Sequence, residues 1–274
     1  MANWCGWPET CVKPERLLRR WRRRHVRLLT ALPDLLRRSR ARGEAEDVHQ
    51  LRVILRRLRL SVRLGKGAFA EEDVARLRVW GARISQATCP VRDFDIAVEW
   101  LQAGKVSPAL VQECQKNRDS VWRRRRRLLP RMPAWLAARL VRPPGGRKRS
   151  AWLVRRQRTL ENRYREAIRR DLPRFFQLGE AGRHEFRRVV RWWRYLREQC
   201  LPGRKLARDG LLRRLLTAQE TLGTLQNLAL VEARFQKLTP SAELGELRPL
   251  LARQQKAQLV KAHAALAGLK SRLG

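Results

Sequence analysis

Two segments, 135 residues apart, carry the same stripe of one histidine followed by arginines at offsets 3, 7 and 10. The first begins at His49 and places Arg52, Arg56 and Arg59 in line. The second begins at His184 and places Arg187, Arg191 and Arg194 in line. Those offsets return to one face of an α-helix, so each segment reads as a helix with a cation about every 5 Å along one side. Beside each line runs an apolar one: Leu51, Leu55, Leu58 and Val62 in the first, and Phe186, Val190 and Trp193 in the second. The helices are therefore amphipathic, and their apolar faces point to a core. Arg57, Arg63 and Arg188 add to the cationic faces. Like charges stacked along one helix repel one another and do nothing for the fold. A polyanion would relieve the repulsion.

The alternative is a solvated helix face neutralised by acids one turn away. Acids are too scarce for that. The chain has 63 Lys plus Arg against 25 Asp plus Glu, a formal net charge of +38 over 274 residues. The excess is spread through both halves and is not a tail, so it attracts polyanions at the expense of self-repulsion. Arginine dominates, and its planar fork binds phosphate in bidentate fashion without losing its charge. Hydrophobic residues make up 43% of the chain, which supplies a core and argues against disorder.

Helix-forming residues prevail and β-type alternation is nearly absent. The reading is all-α. Helices are expected over about 14–42, with Pro33 the place for a kink, then 48–64, 71–88 ended by Pro90, a short stretch 93–101, and 108–129. Pro130, Pro133 and the run Arg142-Pro143-Pro144-Gly145-Gly146 read as a linker. The second half offers helices over about 150–172, 183–199, 205–238 and 242–269. Short connections favour antiparallel neighbours, so each half reads as a four-helix bundle. The expected organisation is an N-terminal extension at 1–13, a first bundle at 14–142 and a second at 147–270. His49 precedes Arg92 by 43 residues, and His184 precedes Gln226 by 42. The stretches Val91–Asp95 and Gly223–Ala229 read as matching loops, which argues for an internal duplication. Two pseudo-symmetric bundles would then place one stripe each on a shared basic groove or channel.

The five cysteines, at 5, 11, 89, 114 and 200, are an odd and scattered set that reads as reduced thiols in a cytoplasm. The four histidines (His25, His49, His184, His263) lack metal-ligand spacing, and no cofactor motif is present. No run of about 18 uncharged apolar residues exists, so no membrane partner is expected. Nor does the N-terminus read as a signal peptide. Asp93 and Asp95 read as structural carboxylates, Asp93 as a helix cap or a bridge to a stripe arginine.

The first-half pattern resembles the CHAD domain, the conserved-histidine α-helical family. His49, Arg52, Val53, Arg56, Arg57, Leu58 and Arg59 match its first signature, and Val91-Arg92-Asp93-Phe94-Asp95 matches its Val-Arg-Asp turn. His184, Arg187, Arg191, Arg194 and Tyr195 match its second signature. Trp192 and Trp193 depart from it, as does Gln226-Asn227 in place of Asn-Asp. The resemblance implies two helical bundles around a basic channel, binding of inorganic polyphosphate, and association with polyphosphate granules. The binding set is then His49, Arg52, Arg56, Arg57, Arg59, Arg63, His184, Arg187, Arg188, Arg191 and Arg194. Arg20, Arg23 and Arg27, also at helical spacing, form a second tier. A basic nucleic-acid-binding protein is the other reading, since charge alone attracts DNA or RNA, although no recognition motif is visible. Catalysis is not expected: no P-loop is present, and Glu44-x-Glu46 is followed by Val48 where phosphate-cleaving tunnel enzymes place lysine.

Overall fold

The computed structural model describes residues 13–104, 108–141, 147–236 and 242–273. Cys5, Cys11 and the linker at 142–146 lie outside them. The described residues form ten α-helices and no strand: α1 (Pro14–Ala41), α2 (Ala45–Leu64), α3 (Glu71–Ala103), α4 (Pro108–Arg125), α5 (Ala134–Val141), α6 (Arg147–Asp171), α7 (Glu180–Cys200), α8 (Gly203–Leu206), α9 (Gly210–Phe235) and α10 (Ala242–Lys270). The fold is all-α, as the periodicity predicts.

Three departures have physical reasons. First, α3 does not stop before Pro90 but runs through it to Ala103. Proline removes one backbone bond, to the carbonyl of Gln86, and Gln86 is an exposed residue. Burial of Ala87 and Val91 on the opposite face holds the helix together. Second, Val91–Asp95 and Gly223–Ala229 are not loops; they lie inside α3 and α9. Third, part of the expected linker is helix α5, which buries Leu136 and Leu140.

Hairpins α1–α2, α3–α4, α6–α7 and α9–α10 pack along their lengths. One core joins α1 to α5. Another crosses between the halves, bringing Leu17 and Trp21 of α1 and Leu60 of α2 against Phe186, Val190 and Trp193 of α7. A third lies where the α3–α4 hairpin meets the α9–α10 hairpin, around Leu101, Cys114, Val231 and Leu251. The apolar lines beside both stripes are buried, each of those side chains below 5% exposure. α2 and α7 are thereby pinned side by side with their cationic faces turned away from the cores.

His25 is fully buried on α1 between the Ser61 hydroxyl (3.0 Å) and the Leu140 carbonyl (2.8 Å), stacked on Trp21. Burial pushes its imidazole down to about 4, against the opposing pull of the Leu140 carbonyl. The unfolded chain takes up that proton near 6.5 and the folded chain does not. Stability is therefore expected to fall by about 3 kcal/mol from this group as pH drops from 6.5 toward 4. Urea unfolding across that window checks it: His25→Gln should flatten the slope, and an unchanged slope would remove His25 from the account.

Candidate polyanion-binding site

α2 presents His49, Arg52, Arg56, Arg59 and Arg63 along roughly 21 Å of one face, from 14 residues at 1.5 Å each. Acidic Glu46 and Asp47 fill its first turn, where the helix dipole favours them. α7 presents His184, Arg187, Arg191 and Arg194. The wall opposite α2 is α3. Arg52 donates to the Thr88 hydroxyl at 3.0 Å and lies 3.1 Å from the Cys89 sulfur, while Arg59 donates to Ser85 at 3.4 Å. Ser85 and Thr88 give their own protons to the carbonyls of Gly81 and Ile84, which leaves their oxygens as acceptors.

The two stripes meet. Burial pushes the Arg191 guanidinium down to about 10; Arg56, Arg187 and Arg52 push the same way, while Tyr195 opposes. Burial likewise lowers Arg59, with Arg52 and Arg56 adding to it, and burial lowers Arg187. All remain charged at neutral pH. Burial alone would raise the Tyr195 phenol, but Arg56, which hydrogen-bonds it, and Arg194 and Arg191 bring it below its ordinary value. Among the described residues, no carboxylate lies within 4 Å of Arg52, Arg56, Arg59, Arg187 or Arg191. Arg56 also keeps a buried Nε with no hydrogen-bond partner among those residues. Half-buried cations that lack carboxylate partners among the described residues and sit beside one another have the charge and geometry that a multivalent anion would match.

Both histidines sit at the starts of the stripes. Burial, then Arg92 and Arg56, lower the His49 imidazole, against Glu46 and Glu99. Burial, then Arg187, Arg191 and Arg188, lower that of His184, which is exposed. Both rings are thereby held toward the neutral form, which keeps one N–H donor on each.

Other members of the expected set have partners already. Arg57 lies over the Tyr195 ring and bonds Glu198 at 3.0 Å. Arg188 is exposed and pairs with Glu185 at 2.5 Å. Arg194 lies 3.5 Å from Glu198 and over the Tyr195 ring. Arg63 donates to the Tyr164 hydroxyl at 3.2 Å and stacks on Trp192, so the tryptophan that departs from the family pattern holds a stripe arginine. In the second tier, Arg20 donates to the Cys200 carbonyl at the end of α7, where cations suit the helix dipole. Arg23 and Arg27 are exposed on α1. Asp93 is neither a cap nor a bridge to the stripe. It joins α3 to α9 through Arg234 at 2.8 Å. Asp95 is buried against Arg118 at 2.9 Å.

Gly81 carries no signal in the sequence pattern. A Cβ at Gly81 would meet Arg59 Nη2 at 3.1 Å, and one at Gly223 would sit 4.0 Å from Arg187 Nη2. Bare helix backbone at Gly81 therefore makes room for the Arg59 guanidinium, whereas the distance at Gly223 is ordinary contact. Among the described residues, no group of three His, Cys, Asp or Glu is placed to hold a metal, and no helix is long and apolar enough to cross a membrane.

The sequence matches the CHAD domain family over residues 22–236. A crystal structure of the CHAD domain from the plant Ricinus communis resembles this chain with a TM-score of 0.57 at 18% identity, covering 94% of this chain and 91% of that one. At that identity the likeness concerns the fold. No curated protein matches the chain.

Proposed function

The chain belongs to the CHAD domain family, and from that premise we propose that it is a non-catalytic binder of inorganic polyphosphate. The observation that carries this reading is the set of five half-buried arginines, Arg52, Arg56, Arg59, Arg187 and Arg191, that meet without counter-ions. We read the halves at 14–142 and 147–270 as duplicated bundles that offer one stripe each to a basic channel. A phosphate chain is thin, flexible and charged at every unit, so it can follow both stripes. Each guanidinium takes up to two phosphate oxygens, and counter-ions are released. In a cell the same site would bring the protein to polyphosphate granules, which co-localisation of a labelled chain with granules would test.

Calorimetric titration with long-chain polyphosphate at several salt concentrations tests the binding. The expected result is a discrete stoichiometry and a log affinity that falls steeply and linearly with log salt. Absence of binding at about physiological salt would defeat the proposal. Phosphate release from the polymer in the presence of Mg²⁺ would defeat its non-catalytic part.

A pH dependence follows. His49 and His184 sit below their ordinary value in the free protein, and a bound polyanion would raise them. Binding then takes up protons, so affinity rises as pH falls. Internal phosphates keep their charge throughout. Roughly three- to tenfold tighter binding at pH 5.5 than at pH 7.5 is expected for two such partial shifts. The double variant His49→Gln with His184→Gln should lose the dependence; a variant that keeps it would exclude both histidines from the site.

A further inference from the structure

A cavity of about 610 Å³ lies between α1, α2, α7 and α9, with Tyr195, Glu198 and Gln199 as its α7 lining. That size is ordinary for a small-molecule site. Its charged wall is Arg24, Arg27, Arg57 and Glu198, beside Tyr195 and Gln199. Its apolar wall includes Leu60, Ala207, Leu212 and Leu216. The wall is anchored: the Asp209 carboxylate accepts from the Leu212 backbone N–H at 2.6 Å and pairs with buried Arg197. Three guanidiniums face one carboxylate, which leaves a net charge near +2. A polyphosphate chain would match the charge but waste the leucines. An apolar molecule would strand the arginines.

We propose that this cavity is a second binding site, for an organic phosphate with one phosphate head and an apolar body, and that its occupancy weakens polyanion binding through Glu198. The head matches the arginine wall in charge, and the body removes the leucines from water. Arg27 is exposed and has no carboxylate partner among the described residues. Arg57 is held by Glu198 Oε2 at 3.0 Å, and Arg24 donates to the Glu198 backbone carbonyl. Glu198 Oε1 also lies 3.5 Å from Nε of Arg194, a stripe residue. A phosphate head that draws Arg57 away leaves Glu198 to Arg194 alone. Arg194 is then less available to a polyanion, and by linkage a bound polyanion disfavours the cavity ligand equally. The coupling rests on the stripe reading of the preceding section; the cavity site does not.

Octyl phosphate is the probe, with inorganic phosphate and octanol as its two halves. Calorimetry should find one octyl phosphate per chain, with each half at least about tenfold weaker. Leu216→Trp and Ala207→Trp fill the cavity and should each abolish binding while helicity and polyphosphate binding persist. The variant with Arg52, Arg56, Arg187 and Arg191 changed to Gln should keep it. Equal binding of inorganic phosphate, or undiminished octyl phosphate binding in both folded Trp variants, would overturn the site. Saturating octyl phosphate should weaken polyphosphate binding about fivefold in the native chain and not in Glu198→Gln. Unchanged polyphosphate affinity with the cavity occupied would overturn the coupling alone. Octyl phosphate binding without any polyphosphate binding would instead defeat the function proposed above and leave the cavity site standing.

Discussion

Changing Arg52, Arg56, Arg187 and Arg191 together to Gln is expected to weaken long-chain polyphosphate binding by at least about 100-fold. Each removes a charge-assisted hydrogen bond of about 1.5–3 kcal/mol from a half-buried position, and the four losses fall on one site. The control is Arg123, Arg124, Arg126 and Arg127 changed to Gln. These side chains are exposed at the end of α4 and just beyond it, and the formal charge lost is the same. Their loss weakens only the general field, which salt screens, so less than about a tenfold effect is expected at about physiological ionic strength. Equal losses in the two variants would mean diffuse attraction to a basic protein. A second readout separates site from scaffold. The four stripe arginines repel one another without carboxylates beside them, so their removal should leave the thermal midpoint unchanged or raise it. A fall of the midpoint would assign them a structural role.

The largest stability effect is expected at Arg118, and Arg118→Ala should cost about 3–5 kcal/mol. Its side chain is 7% exposed and bonds Asp95, itself 1% exposed, at 2.9 Å. It also bonds the carbonyl of Gly43 and lies 3.2 Å from Asp119. One guanidinium thus ties α3 and α4 to the turn between α1 and α2. That turn depends on Gly43, which has a left-handed φ of 67° and Trp122 packed where a Cβ would lie. Burial already raises the Asp95 carboxyl despite Arg118, and without its cation the carboxylate would be left buried and uncompensated. Equilibrium urea unfolding measures the effect. A change under about 1 kcal/mol would show that α3, and with it the wall that carries Ser85 and Thr88, is held by its apolar packing alone.

The stripes were legible because they are local. Offsets of 3, 7 and 10 place side chains on one helix face whatever the tertiary structure, and the adjacent line of Leu51, Leu55, Leu58 and Val62 identified the core side. Pairing between stripes was less legible. Arg56 and Arg191 come together only because α2 and α7 pack, and nothing within either segment encodes that. Arg57 illustrates the limit. It stands in the family signature and next to Arg56, but its carboxylate partner Glu198 is 141 residues away in sequence. Pro90 misled because a proline signals its missing hydrogen bond and not the burial of Ala87 and Val91 that outweighs it. α5 was hidden between prolines, where its eight residues are too few for a clear periodicity. Gly81 was hidden differently: in sequence it looks like a weak point of a helix, and only the neighbouring Arg59 guanidinium gives it a purpose.

On the proposed function, the protein reads a thin polyanion through its two stripes and does not simply attract negative charge. Competition at about physiological salt tests it most directly, with labelled long-chain polyphosphate bound and unlabelled polyphosphate or duplex DNA added at matched phosphate concentration. Unlabelled polyphosphate is expected to displace the label, while duplex DNA, too broad for a narrow pair of stripes, should need at least about a tenfold higher phosphate concentration. Displacement by DNA at equal phosphate concentration would contradict the proposed function and make a basic nucleic-acid-binding protein the better description.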